Sequence, residues 1–244
     1  MTMLIPVKEL TKLFQVCPKS VLHVGAHDAE ELQDYESYGW LPVEWVEAQP
    51  DKAQLLRERL PKLNHRLTEA AVWNEPNISL ELKVMTNSAS TSLFNLGTHS
   101  KEHPDIKFSH SITVKTATLD SLFPNRSFDL IALDIQGAEL RALQGFATQL
   151  SNTKWIYCEV NSQELYKGCC TVKQLDEFLA HYGFKRFATR WTRHHWGDAL
   201  YGNESLTKTA SMRNSILWNL SQLTYYCRVL AGILLSKLRK FSQR

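Results

Sequence analysis

Apolar residues recur along this chain in two rhythms that alternate. In some stretches they return every three or four positions, as on an amphipathic helix; in others they run continuously or at every second position, as in a strand. Residues 5–16 carry Val7, Leu10, Leu13 and Phe14 on one helical face and stop at Cys17-Pro18. Val21, Leu22 and Val24 predict a short buried strand ending at Gly25-Ala26, and residues 29–39 read as a helix closed by Gly39. Residues 42–48 (PVEWVEA) predict a second strand, followed by a helix starting at Pro50-Asp51. Residues 65–73 (HRLTEAAVW) read as one third strand. Residues 78–85 and 111–119 alternate with period two and predict antiparallel additions around a polar segment. The apolar run 128–135 (FDLIALDI) leads into a helix at 137–146, and 154–161 (KWIYCEVN) is another strand. A helix at 171–183 and strands at 184–191 and 198–203 complete the pattern.

Strands alternating with helices predict an α/β domain: a parallel sheet with helices on both faces. Ligands then gather at the carboxyl ends of the strands, near the point where strand order reverses. The polar residues at those ends are His27, Asp28, Glu47, Asp134, Glu159 and Asn161, together with Gly25. The expected organisation is an N-terminal helix (1–19), a catalytic domain (20–204) and a helical tail (205–244).

The turn after the first strand reads Gly25-Ala26-His27-Asp28-Ala29-Glu30. A dinucleotide site needs further glycines there so that a pyrophosphate can approach the helix N-terminus. Here they are missing, and Asp28, Glu30 and Glu31 would repel a diphosphate. An adenosyl ligand without phosphates suits the turn better. S-adenosylmethionine (SAM) is one, with a sulfonium and an amino group that tolerate carboxylates. Glu47, ending the second strand, stands where a ribose-diol binder belongs. An ordinary strand-to-helix turn with a solvated acid is the competing reading.

The segments VLHVGAHDAEE, WVEAQP, TLDSL, LIALDIQGAELRALQGF, IYCEVN and WGDALY occur in order between Ser20 and Tyr201. In combination they resemble the FkbM-type SAM-dependent methyltransferases. The resemblance implies the Rossmann-like class I methyltransferase fold, a seven-stranded, mostly parallel sheet with an antiparallel last strand. It also implies O-methylation of a hydroxyl on a sugar, glycan or natural product. By position it puts Gly25, Ala26, His27 and Asp28 in the cofactor loop, Glu47 and Ala48 at the ribose, and Ala71 and Val72 beside the adenine. Asp134, Gly137 and Glu139 match the family's D-x-x-G-x-E block. His23 stands where an acid is common, Ala29 replaces a frequent glycine, and Gln136 replaces the usual Glu before Gly137.

Methyl transfer to a hydroxyl needs the acceptor oxygen aligned about 3 Å from the methyl and a base within hydrogen-bond reach of its proton. Asp134 and Glu159 are expected to share one cleft, Asp134 as base or orienting carboxylate, with Glu159 and Asn161 on the substrate. Asp134 also suits the N-cap of the following helix. Histidines offer rival bases: His27 in the turn, His99 and His103 in a loop, and His194-His195 beside Trp196 and Asp198. His99 and His103 have metal-compatible spacing without a third protein ligand, so no metal is expected. Ser90, Thr91 and Ser92 are candidate hydroxyl donors, Tyr166 a candidate sugar-stacking ring, and Trp196 and Asp198 candidate substrate contacts.

Charge adds one partner clue. The net charge of +3 gives no reason to expect nucleic acid, but residues after Glu204 carry seven cations and no acid. Apolar positions 216, 220, 223, 227, 230, 234, 238 and 241 form a helical stripe there. A basic amphipathic helix over 213–244 suits peripheral contact with an anionic membrane, packing on its own domain, or a homodimer. Five cysteines, odd in number and without a C-x-x-C, fit free thiols in a reducing compartment. Lys8 interrupts the first apolar stretch and no small-residue cleavage site follows, so a cytoplasmic protein is expected. The leading expectation is a SAM-dependent O-methyltransferase acting on a sugar or glycan, including a lipid-linked one. An NAD-dependent oxidoreductase and a non-catalytic SAM-binding scaffold are the alternatives.

Overall fold

The computed structural model describes residues 3–98, 105–207, 214, 216–218 and 220. Its order is α1 (Val7–Phe14), β1 (Val21–Val24), α2 (Leu32–Tyr38), β2 (Val43–Glu47), α3 (Pro50–Arg59), β3 (His65–Glu69), β4 (Ala71–Val72) and β5 (Ser79–Met85). There follow β6 (Phe108–Ala117), α4 (Leu119–Leu122), β7 (Leu130–Leu133), α5 (Glu139–Gln144), β8 (Trp155–Asn161), α6 (Val172–Ala180), β9 (Phe184–Trp191) and β10 (Trp196–Asn203).

Seven strands form one sheet in the order β3-β2-β1-β7-β8-β10-β9. All neighbours from β3 to β8 run parallel, and β10, the last strand in the chain, is antiparallel to both β8 and β9. This is the class I methyltransferase arrangement the sequence led us to expect. The central strands are buried on both faces and so are mostly apolar. Successive residues point to opposite faces, so Val21 and Trp45 join one core with Tyr35, Trp40 and Leu56 of the flanking helices. Leu22, Val24, Ile131 and Cys158 join a second core with Leu143, Leu175 and Leu179. Each fully buried large side chain contributes about 1.5–3 kcal/mol. The rigid platform between these cores presents the carboxyl ends of β1, β2, β7 and β8 along one edge.

The single strand expected at 65–73 is broken. His65–Glu69 pairs with β2, whereas Ala71 and Val72 pair with Thr116 and Ala117 of β6 in a separate three-stranded sheet ordered β4-β6-β5. The hinge is Ala70, whose N–H donates to the Glu47 carbonyl before the chain leaves the large sheet. The antiparallel β5–β6 pair matches the period-two reading.

Of the expected tail, only a few residues are described. The Trp218 ring is buried edge-on against Phe14 at 5.8 Å and beneath the Arg190 guanidinium at 4.8 Å. Ile216 and Leu220, on the apolar stripe read from the sequence, are exposed, while Trp218 packs on the domain. The bulk of 213–244 lies outside the described residues. Among the described residues no helix is long and apolar enough to cross a membrane.

Candidate active site

The site is built where β1 ends. Gly25 has φ +92°, and a Cβ on it would collide with the Asp134 carbonyl of the adjacent strand. Its N–H and that of Ala26 both donate to the Val46 carbonyl, at 2.9 and 3.0 Å. The chain then takes left-handed conformations at His27 (φ +44°) and Ala29 (φ +50°). Helix α2 consequently starts at Leu32 rather than at once after the turn. Ala26 and Ala29 pack into the core, and neither lines the cavity described below.

Glu47 is buried at the end of β2. One carboxylate oxygen accepts from the His27 N–H (2.7 Å) and the other from the Gln49 N–H (2.8 Å). Burial pushes its pKa up, against those hydrogen bonds. It lines a cavity with about 570 Å³ of empty space, together with Gly25, His27, Ala48, Ala71, Val72, Ser92 and Asp134. Ser88, Gln49, Leu82 and Gln136 also line it, and among the described residues no Lys or Arg does. The segment 88–92 is stapled over this cavity. His27 Nε2 meets the Ser88 hydroxyl at 3.0 Å, Thr91 donates to Gln49 Oε1, and the Ser92 hydroxyl donates to the Gln136 carbonyl at 2.7 Å.

Asp134 and Glu159 do come together, through a residue that was read only as a departure from the family pattern. Gln136 (φ +53°) donates from Nε2 to Asp134 Oδ1 at 2.7 Å and to Glu159 Oε2 at 2.9 Å, while its Oε1 accepts from the Tyr166 hydroxyl. Burial raises both carboxyl pKa values, and for Glu159 the charge of Asp134 adds to the rise. Two close buried carboxyls titrate as a pair. Tyr166 is fully buried and works from behind the site, so it offers no open face to a sugar. Tyr166→Phe is expected to lower unfolding free energy by about 1–3 kcal/mol, because Gln136 Oε1 loses its donor in a buried setting. A urea midpoint would check it, and the retained ring separates this hydroxyl role from a stacking one.

Several other expectations are corrected. Asp134 does not cap the helix that follows it. No side chain caps that helix; Glu139, its first residue, instead accepts on Oε1 from the Ile135 and Gly137 N–H groups of the preceding turn, both at 3.1 Å. Asp28 turns from the cofactor cavity to Lys52, at 2.9 Å. Asn161 is buried at the end of β8 with its Oδ1 unpartnered and lines neither cavity described here. His99 and His103 lie outside the described residues. Trp196 and Asp198 line a second cavity, which shares Gly25 and Asp134 with the first. Asp198 accepts from the Tyr157 hydroxyl (2.5 Å) and the Leu4 N–H (2.7 Å), and burial pushes its pKa up to about 7. Glu30, Glu31 and Glu159 complete the acidic side of this cavity, with Met3 also on its wall. Glu30 and Glu31 were read only as repelling phosphate. The missed signal was the missing helix start: a loop through His27 and Ala29 turns Glu31 inward.

Comparison with known proteins agrees with this geometry. Residues 23–186 match the profile of the methyltransferase FkbM domain. The 2-O-methyltransferase NoeI of Sinorhizobium fredii (strain NBRC 101917 / NGR234) is 24% identical over 211 residues, covering 82% of this chain and 85% of NoeI. Among solved structures, a protein in the NADB-Rossmann superfamily from Streptococcus agalactiae aligns with TM-score 0.47 at 15% identity, covering 83% of this chain and 71% of its own. A ribosomal protein L11 methylase from Lactobacillus delbrueckii subsp. bulgaricus aligns with TM-score 0.45 at 12% identity, covering 81% and 76%. The chain belongs to the FkbM methyltransferase family and is a SAM-dependent methyltransferase.

Proposed function

We propose that this enzyme methylates a hydroxyl of a sugar or glycan, with SAM in the Glu47 cavity and the acceptor in the cavity beyond Asp134. The observation that carries the reading is the pairing of a buried Glu47 with the Gly25 turn in a cavity that, among the described residues, no Lys or Arg lines. Without cations on those walls nothing there neutralises a diphosphate. When bound, SAM supplies an electrophilic methyl group on a sulfonium. Glu47 would accept from the ribose hydroxyls, its geometry fixed by the His27 and Gln49 N–H groups. Ala71, Val72 and Leu82 offer the apolar walls an adenine needs.

Asp134 is the proton acceptor in this reading. Gln136 engages its Oδ1, while no hydrogen bond among the described residues engages its Oδ2. Glu159, held on the same amide, orients the acceptor and shares the proton. The name of NoeI supports transfer to oxygen and suggests a sugar-type acceptor. Calorimetric titration tests the assignment directly: SAM is expected to bind and NAD not to. Incubating the enzyme with labelled SAM and glycan or lipid-linked glycan fractions should give products heavier by one methyl group. Glu47→Gln is expected to weaken SAM binding by about 10- to 100-fold, since an amide presents one acceptor where two N–H groups and a ribose need more. The same titration reads that loss.

A further inference from the structure

Away from both cavities, a third pocket opens where β2 and β3 begin, at Val43 and His65, on the end of the sheet opposite the site. Its walls include Glu44, Lys62, Leu63, His65, Arg66 and Arg126. Glu44 is buried, and its Oε1 accepts from Arg126 Nη2 at 2.8 Å and lies 3.7 Å from Arg66 Nη1. The Arg126 guanidinium is also held near the Phe123 and Phe128 rings, 5.5 and 5.1 Å from their centres. One carboxylate thus fixes two guanidinium groups that still reach water, the Arg66 side chain being 78% exposed and that of Arg126 42%. Lys62 adds a third cation, exposed and without an ion-pair partner among the described residues. Glu44 is the one acid among the described residues that line the pocket; Glu36, 3.5 Å from His65 Nε2, stands outside the lining.

Guanidinium groups already held in place bind phosphate through paired N–H donors and lose little side-chain freedom in doing so. The pocket therefore suits an anion of the phosphate class. Its lip decides the source. Leu63 is 79% exposed in the turn between α3 and β3, beside Lys62 and close to Arg66 in sequence. A free phosphate makes no use of an exposed leucine, whereas a bilayer offers headgroup phosphates with hydrocarbon just beneath them. The layout of charge on the molecule agrees. Glu47, Asp134 and Glu159 stand at the opposite edge, which an anionic surface would repel, so such a surface is met with this end first. We infer that residues 62–66 and Arg126 form a docking surface for a membrane rich in anionic phospholipid. Lys62, Arg66 and Arg126 take the headgroup phosphates, and Leu63 enters the boundary below them. Docked in this way, the carboxyl edge with its two cavities faces away from the bilayer.

The test is sedimentation of the full chain with vesicles of phosphatidylcholine alone and of phosphatidylcholine mixed with phosphatidylglycerol. The protein is expected to sediment with the mixed vesicles, to ignore the neutral ones, and to be released by added salt. Lys62→Gln and Arg66→Gln should each weaken binding about fivefold, and Leu63→Ser about tenfold. All three side chains are exposed, so thermal unfolding of each variant should match the wild type. The lipid and salt comparisons on the wild type stand even if a variant folds poorly. No binding to the mixed vesicles, or equal binding to the neutral ones, overturns the inference. So do variants that bind as well as the wild type, which would pass any membrane contact to another part of the chain. Calorimetric binding of inorganic phosphate without binding of vesicles would make this a site for a free anion and overturns it as well.

Discussion

Asp134→Asn is expected to lower the rate of methyl transfer by a factor of about 10²–10⁴, the usual contribution of a positioned base. The substitution is nearly isosteric, and an amide oxygen can still accept from Gln136 Nε2, as Asp134 Oδ1 does at 2.7 Å. The fold should therefore survive, and titration should still detect SAM. What disappears is the oxygen proposed to take the acceptor's proton. The measurement is methyl incorporation from labelled SAM, with thermal unfolding run alongside. A scaffold that merely binds SAM would show no turnover to lose, so a wild-type rate and a crippled variant together exclude it. Retained turnover in the variant would move the base to Glu159 or His27.

Gly25→Ala should do more damage than its single added carbon suggests. The residue has φ +92°, which alanine adopts only at a cost, and the new Cβ would run into the Asp134 carbonyl in the middle of the sheet. Backbone on both sides would have to separate, disturbing the β1–β7 pairing from Val21↔Leu130 to Val24↔Leu133. A loss of about 3 kcal/mol or more in unfolding free energy is expected, with SAM binding lost outright. Denaturant unfolding and calorimetry would read the two effects separately. Wild-type stability with normal SAM affinity would mean that the turn tolerates side chains and does not cup the ligand.

The parallel sheet was legible in the sequence because the central strands are buried on both sides and so mostly apolar, despite His23 in β1 and Glu44 in β2. Glu47 and Asp134 were legible for a related reason: each follows directly on such a run, so the strand itself delivers it to the carboxyl edge. What could not be read were contacts decided by distant partners. The break at Ala70 depends on Thr116 and Ala117 offering a second sheet, more than 40 residues further along. Asp28 was assigned to the cofactor because nothing local says that Lys52, on the next helix, will claim it. Gln136 looked like a weakened carboxylate position. Its left-handed backbone swings the amide between two acids, a role a third carboxylate could fill only if protonated. Glu31 stayed hidden because an unbroken helical pattern puts it on a surface, whereas the His27–Ala29 loop puts it in a cavity.

The first described residues of the chain bear on how the enzyme should be handled. Leu4 and Ile5 are tied by their backbone to Asp198 and Tyr157, and Met3 lines the acidic cavity. An affinity tag joined to this end would be tethered within a few residues of the cavity proposed for the acceptor, and a polyhistidine sequence would bring imidazolium groups to a basin of carboxylates. Acceptor screens should therefore be run on protein with the leader tag removed, because a tagged preparation could be inhibited by its own purification handle.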